Sequence, residues 1–159
     1  MTESERNTAY CGLYCADCIP SNRAFFESVR ELQRFLRDLG FEHYAALKAR
    51  GNDAFRNYNV FTEVLAAISS LECPRPCRDG GGGPSCRVRE CSLSKGYAGC
   101  WECETFRECE LLQGLRNFHG RNIDHNLEMI REYGVDDWNE HRGKHYPWSE
   151  PPTRPPTAC

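Results

Sequence analysis

The stretch that decides the fold is ECPRPCRDGGGGPSCRVRECSLSKGYAGCWEC, residues 72–103. It holds six cysteines, is rich in glycine and proline, and has little apolar periodicity. A structureless segment of this length inside a compact domain needs something that organises it. Metal ligation by thiolates would do so, because one ion closes several short loops at once. The stretch therefore predicts a loop that is organised by metal.

The composition of the chain points the same way. The chain has 159 residues, of which 11 are cysteines, and its mean hydropathy of −0.68 leaves only a thin apolar core. The start, MTESERNTAY, lacks the basic and apolar regions of a secretory signal. The sequence contains no run of about 18 apolar residues, so we expect no membrane-spanning helix. Clustered cysteines in a reducing compartment are typically metal ligands, so we expect a cytoplasmic metal-binding protein.

The charge of the chain narrows the class of partner. Twenty basic and 23 acidic residues give a formal net charge of −3. A large phosphate-binding surface would need an excess of Lys and Arg. We therefore expect neither a nucleic acid nor a membrane as partner, but an unidentified protein that binds the long cysteine-rich loop.

Helical periodicity flanks this loop on both sides and predicts a mainly α-helical fold. The predicted helices span about 22–39, 41–50, 53–71, 106–115 and 124–133, with Gly40, Gly51 and Gly134 as breaks. Ile123, Leu127 and Ile130 form a late buried row, and Trp138 anchors the turn that follows. The apolar stripes of the first three helices are also predicted to be core, and they consist of Phe25, Val29, Leu32, Phe35, Leu36, Leu39, Phe41, Tyr44, Leu47, Tyr58, Phe61, Val64, Leu65, Ile68 and Leu71. We expect one small helical domain with Cys-rich metal-organised loops over 1–145, followed by a proline-rich extended tail over 146–159.

Ten cysteines precede the tail and are the candidate metal ligands. They are Cys11, Cys15, Cys18, Cys73, Cys77, Cys86, Cys91, Cys100, Cys103 and Cys109. Two thiolates at a C-x2-C step can bind one tetrahedral ion with little backbone strain. One grouping joins Cys15/Cys18 to Cys100/Cys103 and Cys73/Cys77 to Cys86/Cys91, but other groupings remain equally open. The terminal Cys159 is expected to be an exposed thiol.

The N-terminal triplet CGLYCADC, residues 11–18, has the C-x3-C-x2-C spacing of radical S-adenosylmethionine enzymes. Such enzymes surround the cofactor with a barrel of roughly 200 residues or more, built from alternating strands and helices. This chain has neither the length nor the alternation, so the three cysteines are interpreted as ligands of a structural site.

All-thiolate donors suit either zinc or iron–sulfur clusters. We expect Zn²⁺ in structural sites, with a [4Fe-4S] redox or electron-transfer protein as one alternative. A second alternative is an enzyme with an open zinc site or a reactive cysteine for thiol or alkyl transfer. His119 and His125 are the histidine candidates for a site of three thiolates and one imidazole; the other histidines, including His145, are expected at the surface.

Several neighbours of the cysteines have expected supporting roles. The basic residues Arg75, Arg78, Arg87, Arg89 and Lys95 would neutralise an anionic thiolate site. The run Gly80–Gly83 lacks the GK[ST] of a phosphate loop and is expected to let the backbone turn between two cysteines. Tyr97 and Trp101 are expected to cover the metal site.

The chain resembles the cysteine-rich family catalogued as domain of unknown function 3795. The resemblance lies in CGLYCADCIP, then CRDGGGGPSCRVRECSLSKGYAGCWECETF, then NLEMIREYGVDDW, and covers roughly residues 8–142. The family's cysteines correspond to Cys11, Cys15, Cys18, Cys77, Cys86, Cys91, Cys100, Cys103 and Cys109. The resemblance implies a small zinc-binding protein of bacteria and archaea, and it implies no particular reaction.

Overall fold

Seven α-helices joined by short 3-10 turns make up the part of the chain that the computed structural model describes, residues 1–83, 85–144 and 146–149. The helices are α1 Glu3–Asn7, α2 Arg23–Asp38, α3 Phe41–Lys48, α4 Tyr58–Ser69, α5 Arg87–Ser94, α6 Glu110–His119 and α7 Asn122–Asp137. Within these residues the only β pairing is an isolated antiparallel bridge between Thr8 and Tyr14. The mainly α-helical class is thereby confirmed. No helix of the described residues is both long and apolar enough to cross a membrane.

The chain divides into two compact units. The first consists of Met1–Asp17 and Arg75–Cys159, and the second of Cys18–Pro74. The predicted limit between a domain and a tail at 145/146 stays a prediction. His145 and residues 150–159, with Cys159 and most of the proline-rich segment, lie outside the described residues.

The core of the first unit is formed mainly by α5, α6, α7 and the cysteine-rich turns. Its buried side chains are Tyr14, Val88, Cys100, Trp101, Phe106, Leu112, Ile123, Leu127, Ile130 and Trp138. The predicted row of Ile123, Leu127 and Ile130 is confirmed, and Trp138 is fully buried as expected. Gly134 interrupts α7 with φ of 76° and ψ of 161°, and helical residues resume after it.

Buried polar contacts tie the N-terminal segment to this core. Asn126 donates from Nδ2 to the carbonyl oxygen of Gly12 at 2.8 Å and accepts at Oδ1 from the N–H of Gly143 at 2.9 Å. The indole Nε1 of Trp138 donates to Thr8 Oγ1 at 2.8 Å. Since buried polar groups need partners, these contacts bring residues 8–14 against α7 in one specific arrangement.

The second unit contains α2, α3 and α4. Asn22 caps α2 with its side chain, whose Oδ1 accepts from the N–H of Phe25 at 3.0 Å. Gly40 takes a left-handed φ of 59° between α2 and α3, which agrees with the predicted break. The segment predicted as one helix over 53–71 is a 3-10 turn, Asp53–Asn57, followed by α4.

The prediction that the apolar stripes of this unit form a core is wrong for most of their residues. Val29 and Leu65 are buried, but many other members of the stripes are exposed. The exposed members are Phe25, Leu32, Phe35, Leu39, Tyr44, Leu47, Phe61, Val64 and Leu71. Helical periodicity predicts which side chains share a face, whereas burial depends on what packs against that face.

Two helices were not predicted from the sequence. The helix α1 is only five residues long, and α5 lies inside the stretch 72–103. Only Val88 and Ser92 of α5 are buried, so its apolar pattern is too sparse to be detected by periodicity.

Candidate metal centre

Four cysteines line one cavity of about 140 Å³ in the first unit: Cys91, Cys100, Cys103 and Cys109. Cys91 lies on α5, and Cys109 is the residue before α6. Cys100 begins a 3-10 turn, and Cys103 is the residue that ends it. Three segments that lie up to 18 residues apart in sequence thus contribute thiols to the same cavity.

The loop between α5 and α6 contains two similar turns, and a cysteine closes each. The N–H of Cys103 donates to the carbonyl of Cys100 at 3.1 Å, and the N–H of Cys109 donates to that of Phe106 at 3.2 Å. The first turn also depends on Gly99, because a Cβ there would lie 2.1 Å from the ring of Trp101. The repeated turn geometry brings Cys103 and Cys109 to the cavity in succession.

Two arginines hold the outer carbonyl groups of this loop. Arg131 on α7 donates to the carbonyl oxygens of Trp101 and of Cys103, the latter at 2.8 Å. Arg116 on α6 donates to the carbonyl oxygens of Phe106, at 2.7 Å, and Cys109, at 3.2 Å. These residues position the cysteine loop and were not predicted, because nothing in their spacing relates them to the cysteines.

Cys100 is the most enclosed of the four thiols. The pKa of the Cys100 thiol is raised to about 11, mainly by burial and to a smaller extent by the neighbouring Cys109, Cys103 and Cys91, against a lowering by the Ser92 hydroxyl. That hydroxyl lies 3.8 Å from the Cys100 sulfur. Without an ion the thiol is therefore protonated at neutral pH, and metal binding has to displace the proton.

The donor chemistry of the four cysteines fits a thiophilic metal, since four thiolates form a closed zinc site. The present placement of the four cysteines does not yet form such a site. Across residues 1–83, 85–144 and 146–149, no group of three or more His, Cys, Asp or Glu side chains is arranged to hold a metal ion. Closing the site requires the four sulfurs to approach one another to roughly 3.8 Å, as tetrahedral Zn–S bonds of about 2.3 Å demand.

A second group of thiols lies around Cys11. The pKa of the Cys11 thiol is raised to about 12, mainly by burial and to a smaller extent by Cys77, Cys100 and Cys86, against a lowering by a hydrogen bond from the backbone of Leu13. The backbone joins the two groups directly, because the N–H of Cys100 donates to the carbonyl of Tyr10 at 2.7 Å. Cys100 thus lies between the two groups of thiols.

The remaining candidate cysteines are divided between the units. Cys15 begins a 3-10 turn in the first unit. Cys18 and Cys73 belong to the second unit, where the N–H of Cys73 donates to the carbonyl of Pro20 at 2.8 Å. The structure thus groups Cys100 and Cys103 with Cys91 and Cys109, which differs from the grouping suggested by spacing.

The basic residues near the cysteines have different roles. Lys95 lines the cavity of the four thiols. Arg78 donates to the carbonyl of Thr8 at 2.9 Å and lies over the ring of Tyr10, 4.2 Å from its centroid. Arg89 donates to the carbonyl of Gly81 at 2.8 Å. Of these, Lys95 is the cation placed to act on charge inside the cavity.

The glycine run forms the tight turn that was predicted between Cys77 and Cys86. Gly80 and Gly82 have left-handed φ values of 83° and 73°. A Cβ on Gly81 would lie 1.7 Å from the carbonyl oxygen of Arg75. The N–H of Gly81 donates to the carbonyl oxygen of Pro76 at 2.9 Å. A side chain at position 81 would therefore force this turn apart.

The two histidine candidates have contacts of their own away from the thiols. His119 packs edge-on against the rings of Phe118 and Trp148. His125 pairs through Nε2 with the carbonyl oxygen of His141 at 3.0 Å. Tyr97 lines the cavity of the four cysteines, as expected, whereas Trp101 is buried in the core without lining that cavity.

The fold and these thiols define a small, mainly α-helical, cysteine-rich protein. The family described as "protein of unknown function (DUF3795)" matches residues 7–114, and the chain belongs to this family. No curated protein and no solved structure matches the chain.

Proposed function

We propose that this protein binds one zinc ion through Cys91, Cys100, Cys103 and Cys109, and that the ion stabilises the loop between α5 and α6. The observation that carries the proposal is that these four thiols line one cavity. Four soft donors around one small space are the ligand set of a structural zinc site.

The surroundings of the cavity support this assignment. Arg116 and Arg131 hold the backbone of the loop at Cys109 and Cys103, so the ligands start from defined positions. A zinc ion with four thiolates carries a net charge of about −2, and cations nearby lower the cost of that charge. Lys95, which lines the cavity, supplies such a cation.

A closed set of four thiolates leaves no open position for a substrate. We therefore propose a structural role for the metal, in a cytoplasmic protein whose surface serves protein interaction. The cytoplasm belongs to the proposal because its reducing conditions keep thiols available as ligands. The alternative of an enzyme with an open zinc site would instead require a site with three protein ligands.

Elemental analysis of full-length protein purified without oxygen tests the proposal. We expect about one zinc per chain, and we expect Cys91→Ser and Cys103→Ser each to lower the zinc content at least ~10-fold. Cys73→Ser is the matched control, because Cys73 lies in the other unit and should leave zinc binding at the cavity unchanged.

A melt of the wild-type protein with a strong chelator gives a second measurement that does not depend on the variants folding. Because ligation is part of the folding free energy of such sites, we expect the chelator to abolish cooperative unfolding of the first unit. Stoichiometric iron together with absorbance near ~400 nm would instead support the alternative of a [4Fe-4S] protein. Neither metal at stoichiometric levels would reject the proposal.

A further inference from the structure

Helices α2 and α4 share a wide apolar face that is left uncovered. Eight large apolar side chains of these helices and their C-terminal ends are between 40% and 73% exposed. They are Phe25, Leu32, Phe35, Leu39, Val60, Phe61, Val64 and Leu71, and we call them the α2–α4 face. A soluble chain gains free energy by covering a face of this kind.

The two helices are antiparallel neighbours. Gln33 donates from Nε2 to the carbonyl oxygen of Leu65 at 3.4 Å and accepts at Oε1 from Ser69 at 3.2 Å. Arg30, which lies about one turn before Gln33 on α2, forms an ion pair with Glu72, which follows the C-terminal end of α4. Contacts therefore step backward along α2 as they step forward along α4.

This direction brings the exposed residues to one side of the helix pair. At 100° per residue, Leu32 and Leu39 lie about a quarter turn from the inward-facing Val29, and Val64 lies about a quarter turn in the same sense from Leu65. In antiparallel helices, equal rotations in the same sense point to the same side. The start of α3 lies on the other side, where Phe41 and His43 line a groove with Gln33 and Thr62. Phe61 lies at the edge of the face nearest α3, because it lines a second cavity together with Phe41.

The large residues of the α2–α4 face are uncharged, and at its edge the guanidinium of Arg34 lies over the ring of Phe35, 4.3 Å from the centroid. Ala24, Ser28 and Ala67 are small residues on the same side of the two helices. At the rim, Arg34 pairs with Glu31 at 3.8 Å and with Asp38 at 3.3 Å in the same helix. The rim thus offers little net charge to attract a strongly charged partner.

We propose that the α2–α4 face binds a second copy of this chain, so that α2 and α4 of the two copies form a four-helix bundle. Taking roughly 150–200 Å² per large apolar side chain, the eight exposed fractions add up to about 700 Å² per copy. A standard stable interface buries about 800 Å² per partner, so the face is large enough for a dimer.

A second copy suits this face better than a charged partner does. Two uncharged faces can meet across a two-fold axis without bringing like charges together. The proposed function includes protein interaction, and the dimer identifies a second copy of the chain as a partner. The dimer itself does not depend on metal binding.

Sedimentation velocity of the full-length protein as purified, between ~1 and ~100 µM, tests the proposal. We expect a species of twice the 18.3 kDa chain mass. Leu39→Glu and Val64→Glu should raise the dimer dissociation constant at least ~10-fold, because each would bury a charge in the interface. Leu93→Glu on α5 is the matched control, since Leu93 is 58% exposed and lies outside the α2–α4 face.

A wild-type protein that is monomeric at ~100 µM would overturn the proposal that a second copy covers the α2–α4 face. So would Leu39→Glu and Val64→Glu variants that dimerise as tightly as Leu93→Glu. Hydrogen exchange of the wild type is a measurement without mutation: protection over 23–39 and 58–71 should rise with concentration, and unchanged protection would contradict the dimer. Zinc content measured on the same samples separates this outcome from the outcome of the metal proposal.

Discussion

Arg131 donates a hydrogen bond from Nη2 to the carbonyl oxygen of Cys103 at 2.8 Å, across 28 residues of sequence. The same guanidinium donates to the carbonyl of Trp101, and it lies over the ring of Phe106, 4.7 Å from the centroid. One side chain of α7 thereby holds three residues of the loop that carries Cys100, Cys103 and Cys109.

Replacement of Arg131 tests this positioning role. We expect Arg131→Ala to lower the free energy of unfolding by about 1–3 kcal/mol, because two carbonyl groups lose a charged donor. Zinc should also pass to a competing chelator faster from the Arg131→Ala variant than from the wild-type protein. Arg131→Lys, which keeps one donor, should recover part of both effects. Arg107→Ala is the control, because its ion pair with Glu128 is exposed and should contribute at most ~1 kcal/mol.

The glycine turn supplies a second prediction. Gly81→Ala should destabilise the first unit by roughly 1–3 kcal/mol, because the added Cβ would collide with the carbonyl oxygen of Arg75. A Cβ on Gly83 meets nothing within 4 Å, so Gly83→Ala is the matched control. Thermal unfolding followed by circular dichroism compares the two, and equal melting temperatures would contradict the predicted collision.

The buried side-chain amide of Asn126 supplies a third prediction. Asn126→Ala should cost about 2–4 kcal/mol, because the carbonyl of Gly12 and the N–H of Gly143 both lose their partner. Asn117→Ala on the exposed side of α6 should change stability by less than ~0.5 kcal/mol. Urea unfolding measures both variants, and a cost for Asn126→Ala no larger than that of the control would show that the two contacts are dispensable.

The burial of His119 predicts a dependence of stability on pH. Burial lowers the pKa of His119 below its ordinary value of 6.5, so the folded state favours the neutral ring. This contribution is fully present above about pH 6.5 and is lost as the pH falls through the lower folded pKa. Urea unfolding in excess zinc at pH 7.5 and 5.5 should show a smaller decrease for His119→Gln than for the wild type. The same substitution at exposed His43 is the control, and identical decreases in all three proteins would refute the prediction.

Zinc binding itself should release protons. Because the Cys100 thiol has a pKa of about 11 before an ion binds, it is protonated at neutral pH. Zinc binding should therefore release protons, at least one of them from Cys100, and the zinc affinity should rise with pH. Calorimetry in buffers of different ionisation enthalpy counts these protons. Binding without proton release would contradict ligation by thiols.

The sequence was informative where one local pattern determines the structure. Asn22 as the cap of α2, Gly40 as a break and the turn at Gly80–Gly83 all depend on the conformational preferences of single residues. The buried row on α7 was also predictable, because its period of three and four residues matches a helix that packs on one side. The short α5 was not, since a helix held by only two buried side chains has hardly any periodic signal.

The candidate site was only partly predictable for a related reason. The residue types identify thiols as the candidate donors, but spacing along the chain does not tell which sulfurs share a cavity. Cys91 joins Cys100, Cys103 and Cys109 because α5 and α6 pack together in the first unit. Arg116 and Arg131 could not be assigned to the site, since their contacts are to backbone carbonyls, which every residue has.

By itself, the sequence determined the helical class, the cysteine-rich family and the soft donor chemistry, because these follow from composition, periodicity and motif. Only the tertiary structure decided which four cysteines line one cavity, and that most of the apolar residues in the stripes of α2 and α4 are exposed rather than in a core. The physical reason is the same in both cases. Grouping of ligands and burial of apolar faces depend on contacts between segments that are distant in sequence, and no local pattern encodes which segments will meet.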